Sequence, residues 1–208
     1  MSETVSRAEA KERTRRAILD AVLDLTRDSQ LATVSLRQIA KQVGIVPTAF
    51  YRHFPTVEDL GLTLVDESFV SLRAMLREAR DLPSLATPLT LADTSVAVLA
   101  DHVHRHQAHF AFIARERNGP VGPVREAIRH EIDLCEHELA TDLARLPALD
   151  AWPTSELRAL SGLIVTTMVT TTEELIGARP DQESALIATA RTQLRMIVVG
   201  AMHWKPTP

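Results

Sequence analysis

Twenty residues, from Ser35 to Phe54, constrain this chain more than any other stretch. Ser35 with Gln38 three positions on forms an S-x-x-Q capping box, in which each side chain satisfies a free backbone N–H at a helix start. Leu36, Ile39, Ala40 and Val43 then recur at i, i+3, i+4 and i+7, the period of a helix buried along one side. Gly44 follows, the residue that best adopts the left-handed conformation of a tight helix exit. Pro47 can open the next helix, because its missing N–H is unpaired there in any case. Phe50 and Phe54 give this third helix an inward face. A capped start, a turn glycine and a helix-opening proline at this spacing predict a helix-turn-helix.

The rest of the chain reads as helix too. Ile18, Ala21, Val22 and Leu25 stripe a first helix over about 6–27, behind a basic stretch from Lys11 to Arg16. Thr56 and Asp59 cap a fourth helix to about residue 80, with Leu60, Leu64, Leu72, Met75 and Leu76 inward. Two prolines within 81–88 mark the best boundary. Beyond it helices are expected at 90–105, 107–117, 122–145, 154–178 and 181–204. The threonine-rich run 165–172 has strand-like composition, but lies within some twenty-five residues without a breaker, so length favours helix. The fold class is therefore all-α with about nine helices. It divides into a DNA-binding segment at 1–55, a connecting helix at 56–81 and a body at 82–208.

Charge is distributed unevenly. Residues 1–54 hold nine Lys and Arg against six Asp and Glu, a net +3 in a chain of net −4, leaving −7 for the remainder. A basic head on an acidic body suits contact with phosphates at one end only. The single cysteine, Cys135, excludes an intrachain disulfide framework. The N-terminal stretch has no apolar core of a signal peptide, and the uncharged run 159–172 is too short to span a bilayer. These features predict a cytoplasmic protein with no membrane partner.

The segment from Ser35 to Phe54, ending Phe50-Tyr51-Arg52-His53-Phe54 and followed by the capped helix from Thr56, resembles the DNA-binding domain of the TetR family. That resemblance implies a repressor with an N-terminal reader and a C-terminal effector-binding body. It also implies a homodimer whose last two long helices form a four-helix bundle, on a pseudo-palindromic duplex operator. The run from Pro47 to Phe54, Leu60-Gly61-Leu62-Thr63 with Val65-Asp66-Glu67-Ser68, and Arg115-Glu116-Arg117 with Gly119 are similar to the FabR/DesT branch. That branch controls fatty-acid synthesis genes and senses long-chain acyl thioesters. Two departures stand out: Val46 replaces the usual Ser or Thr cap, and Val57 stands where a phosphate-binding lysine is frequent.

A recognition helix turns its first residues toward base edges. Pro47, Thr48 and Ala49 lie there, and methyl groups of threonine and alanine suit a thymine methyl. Arg52 points outward one turn on, to guanine or phosphate. Tyr51 and His53 resemble the family's phosphate contacts. Ser35 and Arg37 of the second helix and Arg16 of the first are further backbone contacts.

The body speaks less specifically. A pocket between helices needs apolar walls and a few polar groups. Val98, Phe110, Ile113, Ile132, Cys135, Leu139, Val165 and Met168 are candidate walls, with ordinary core as the competing reading. Arg115 and Arg117 can meet an acyl thioester headgroup, or pair with neighbouring acids. His102, His106 and His109 at i, i+4 and i+7 raise a metal effector as the alternative, beside a drug-like effector controlling efflux or catabolism. A helix break near His106 works against the metal geometry, so no metal or cofactor is expected. No nucleophile elbow, P-loop, dinucleotide fingerprint or zinc-protease motif is present, and an enzyme is not expected. Leu157, Leu160, Ile164, Met168 and Leu175, with Leu186, Ala190, Leu194, Ile197 and Ala201, stripe the last two helices as the expected dimer seam.

Overall fold

A computed structural model describes the backbone of residues 2–80 and 87–206, and the side chains of 6–70, 72–73 and 87–206. Among the described residues there are nine α-helices, one 3₁₀ turn (Leu31–Thr33) and no strand. The helices are α1 (Ser2–Leu25), α2 (Leu36–Val43), α3 (Pro47–Phe50), α4 (Val57–Arg80), α5 (Pro88–Arg105), α6 (Gln107–Glu116), α7 (Gly122–Leu143), α8 (Thr154–Gly177) and α9 (Glu183–His203).

Local chemistry sets most ends. Thr56 Oγ1 accepts from the Asp59 N–H at 2.9 Å and caps α4. α5 starts two residues before the expected Thr90, because Thr87 caps it, accepting from the Thr90 N–H at 3.2 Å, with Pro88 as its first residue. Within α8 the hydroxyls of Thr167, Thr171 and Thr172 donate to carbonyls four residues back. Self-bonded in this way, these three threonines sit in a helix with their hydroxyls paired, while Thr166 and Thr170 are exposed to solvent. The boundary expected at 81–88 falls mostly outside the described residues, as do the side chains of Met75 and Leu76.

The chain forms two packing units. The first joins residues 1–68 with 108–128. Its buried residues include Ile18, Leu19 and Val22 of α1, Ile39 of α2, Phe50, Phe54, Leu60 and Leu64, Phe112 of α6 and Val124 and Ile128 of α7. A Cβ on Gly61 would meet Leu31 Cδ2 at 2.6 Å and Val124 Cγ2 at 2.8 Å. Glycine is therefore what lets α4 approach the 3₁₀ turn and α7 this closely.

The second unit takes residues 69–107 and 129–208. Ala92 and Val96 of α5 pack on Ala190 and Leu194 of α9, with Ile164 and Met168 of α8 beside them. Ala140, Leu149, Leu157 and Leu160 form a second cluster, flanked by Ile197 and Ala201. This corrects the expected seam: the named stripes of α8 and α9 are largely turned into their own chain, where α5 and α7 cover them. The faces left outside carry Leu163, Met196, Val199 and Met202, which are 59%, 69%, 44% and 58% exposed. By length and composition α9 also passes as a membrane-crossing helix, with a mean hydropathy of 1.2 in a window only 11% buried.

Candidate nucleic-acid interface

The capping box forms as read. The Gln38 N–H donates to Ser35 Oγ at 3.3 Å, the Ser35 N–H donates to Gln38 Oε1 at 2.8 Å, and the Ser35 hydroxyl donates to the same oxygen at 2.7 Å. Gly44 closes α2 at φ 75°, the single positive φ among the described residues. A side chain there would cost about 1–2 kcal/mol. Pro47 is the first residue of α3, and Val46 before it makes no side-chain cap.

The third helix is shorter than its sequence implies. Regular α-helix covers Pro47–Phe50, and residues 51–53 continue as tight turns. The Arg52 N–H donates to the Ala49 carbonyl at 3.1 Å and the His53 N–H to that of Phe50 at 2.9 Å, both three residues back. Such bonds tighten the last turn, as is frequent at helix ends, while the Phe54 N–H still donates to the Phe50 carbonyl at 3.1 Å. Phe50 and Phe54 still anchor it, 0% and 2% exposed, with ring centroids 5.8 Å apart. Arg15 of α1 lies 4.4 Å above the Phe54 ring, a cation–π contact that ties α1 to this floor.

Above the floor the expected contacts are brought together on one segment. Pro47, Thr48, Tyr51 and Arg52 are exposed, and Ala49 and His53 half-buried. Tyr51 is 60% exposed. Ser35 and Arg37 are exposed on α2. Arg16 is placed differently: its guanidinium bonds Asp20 at 2.9 Å and Glu67 at 2.7 Å. A cleft of about 440 Å³ opens beside α3, lined by Ala10, Lys11 and Thr14 of α1 with Arg52 and His53. Lys11 and Thr14 went unassigned in the sequence, where the only sign was the basic run ahead of α1's apolar stripe. Burial, then the charges of Lys11, Arg15 and Arg52, hold the His53 imidazole below its ordinary range. Its Nδ1 is buried with no hydrogen-bond partner.

No family model matches the chain. Its architecture is nevertheless shared with solved structures. A TetR-family transcriptional regulator from Streptomyces coelicolor aligns at TM-score 0.72 and 16% identity, over 92% of this chain and 97% of that one. FadR from Bacillus subtilis, solved with stearoyl-CoA, aligns at 0.68 and 16% over 89% and 98%. The fatty acid degradation regulator FadR of Bacillus halodurans aligns at 0.68 and 13% over 90% and 95%. The fold is that of the TetR-type regulators. At these identities the likeness establishes the fold alone.

The residues expected around an effector fall in both packing units of this TetR-type fold. Phe110, Ile113, Arg115 and Arg117 belong to the first packing unit; Val98, Ile132, Cys135, Leu139, Val165 and Met168 belong to the second. Phe110 is buried, while Val98, Ile113, Ile132, Cys135, Leu139 and Val165 are half-buried. Met168 packs on the Ala92 cluster. Arg115 donates to the Arg27 carbonyl at the end of α1. A polar cleft of about 310 Å³ in the second unit is lined by Asp133, Glu136, His137, Arg158 and Ser161, none of them an expected wall.

The histidines separate. His102 stacks on His106 at 6.0 Å, and His104 faces Glu183 at 3.2 Å. His109 Nδ1 meets Ser68 Oγ at 3.0 Å. α5 ends at Arg105, as the expected break requires, and no metal-ligand group of three forms among the described residues.

One buried acid escaped the sequence reading. Glu116 is 0% exposed, and Oε1 accepts the Leu31 N–H at 2.8 Å. Burial pushes its carboxyl above the ordinary range, against the opposing pull of that N–H and of Arg115. A glutamate in a charged run looks solvated in sequence, and nothing local marks it as interior.

Proposed function

We propose that the chain is a transcriptional repressor, a two-fold dimer that reads operator DNA through α2 and α3 and answers to a small hydrophobic effector. In this reading residues 1–55 bind DNA, 56–81 connect, and 82–208 bind the effector and dimerise, all in the cytoplasm. The observation that carries it is the exposure of Thr48, Tyr51 and Arg52 directly around the wholly buried Phe50. Polar side chains on a rigid aromatic floor keep their geometry without a partner present, which base and phosphate recognition needs. Thr48 and Ala49 then meet base edges, Arg52 a guanine or phosphate, and Tyr51, His53, Ser35 and Arg37 the backbone.

The outward faces of α8 and α9 support the dimer. Leu163 of α8 and Met196 and Val199 of α9 are large apolar side chains left exposed, and such a face suits burial against a partner. A two-fold partner covering them would match an operator of two inverted half-sites. The acyl-CoA reading is supported by the resemblance to FadR proteins, one of them solved with stearoyl-CoA.

Selection from genomic fragments, followed by mobility shift, tests the reading. Tyr51→Ala and Arg52→Ala should each weaken operator binding by about five-fold to a hundred-fold, from a loss of about 1–3 kcal/mol, and leave the dimer mass unchanged. Equal affinity of the wild type for every fragment and for random duplex ends the regulator reading. A titration with stearoyl-CoA and oleoyl-CoA tests the effector separately. Unchanged operator affinity with both removes the lipid effector and keeps the repressor, with a drug-like or catabolic effector in its place. Any effector that releases the operator must itself be released by it, since the coupling is reciprocal.

A further inference from the structure

The end of α6 and the turn after it carry three bonds that the reading of DNA leaves unused. Glu116 Oε1 accepts the N–H of Leu31, the first residue of the 3₁₀ turn between α1 and α2. Arg115 donates to the carbonyl of Arg27, just past the end of α1. Arg125 of α7 donates to the Gly119 carbonyl at 2.7 Å. Leu31 is 1% exposed, so Glu116 is what satisfies an N–H that water does not reach.

Gly119 fits the same arrangement. A Cβ there would stand 2.5 Å from Glu116 Oε2 and 3.2 Å from the Glu116 Cα. Its φ is not positive, so the glycine is required by the space the carboxylate fills. Oε2 itself is buried with no hydrogen-bond partner. A core selected for stability alone gains little from a buried acid half-satisfied in this way, since an apolar side chain of equal volume avoids the desolvation cost. What the acid adds is direction, fixing one backbone N–H of the α1–α2 connection to one atom of α6.

We propose that Glu116, seated by Gly119, is a positioning residue that clasps the α1–α2 connection to α6 and so sets where the reading helices stand. The inference rests on the operator-binding reading. Through this clasp a shift at the end of α6 reaches α2 without slack, because the connection moves with the atom it is bonded to.

The test compares Glu116→Gln, Glu116→Leu and Gly119→Ala in the full chain. It uses operator mobility shift, random-duplex affinity, far-UV circular dichroism and hydrogen exchange at the Leu31 amide. Glu116→Gln keeps an acceptor oxygen and should hold operator affinity within about three-fold of wild type. Glu116→Leu should speed Leu31 exchange about ten-fold or more, the size expected when one buried N–H loses its partner, and should weaken the operator complex beyond the three-fold margin set for Glu116→Gln. Random-duplex affinity and helix content should stay as in the wild type. Gly119→Ala, whose methyl group meets the carboxylate most closely, should move both readouts the same way and keeps the test informative should Glu116→Leu fail to fold. Wild-type operator affinity in Glu116→Leu or Gly119→Ala, or an equal loss in Glu116→Gln, overturns the clasp. A wild type with no operator preference overturns the regulator reading beneath it, and the two failures are thereby told apart.

Discussion

The two packing units are built on different principles. In the first, position is fixed atom by atom: a capping box, one left-handed glycine, an aromatic pair under a cation, and a buried acid bonded to a single N–H. In the second, long helices meet through Ala, Val, Leu and Ile, and the polar links are surface pairs such as Arg195 with Asp93 at 2.7 Å. Exposed pairs of that kind contribute about 0–1 kcal/mol. One unit holds a few side chains in a defined geometry; the other fills volume and leaves an apolar face outside. Recognition of a rigid duplex needs the first kind of order, while a body that accommodates a ligand can tolerate the second.

The largest effect that can break this contrast is at Phe50. Phe50→Ala should cost about 3–5 kcal/mol in urea unfolding and abolish operator binding. A loss below 1 kcal/mol would mean that the aromatic floor is not what holds α3. The corresponding test of the second unit is Met196→Glu, on a residue exposed in the single chain. The isolated subunit should remain folded, and sedimentation should show half the wild-type mass. An unpaired charge buried at the seam costs about 3–5 kcal/mol. An unchanged mass would place the seam elsewhere.

The smallest effect sharpens the electrostatic side of the comparison. Burial, then the cations around it, depress the His53 pKa in the free protein, and a phosphate entering the cleft would oppose the cations and raise it. Binding DNA then takes up a proton, so affinity should rise as pH falls below about 7 toward the depressed free value, by less than ten-fold per pH unit. His53→Gln should flatten that slope. A slope identical in the variant would assign the proton to another group.

Legibility followed the same division. The helix-turn-helix was readable because its signals are backbone constraints carried by single residues: Ser35, Gln38, Gly44 and Pro47 each do one local job wherever the chain goes. Helix ends were readable within a few residues for the same reason, except at α3, where regular helix gives way to tight turns after Phe50. The outward face of α9 was misread. Leu194 and Met196 are both apolar, and only the neighbours supplied by α5 decide which is covered. Glu116 was invisible because its partner lies 85 positions away. Periodicity reports that a face is apolar and carries no information about what covers it.

The division of the first unit between 1–68 and 108–128 bears on synthesis. A nascent chain that has emerged only as far as α4 carries the whole reading motif, yet Leu31 still lacks its acceptor, and the cover contributed by Phe112 and Val124 is still missing. Contacts between segments this far apart in sequence form late, because a long loop must close first. The motif should therefore lock only after α6 and the start of α7 have left the ribosome, and a fragment cut within the 81–86 segment should read DNA poorly however complete its recognition sequence is.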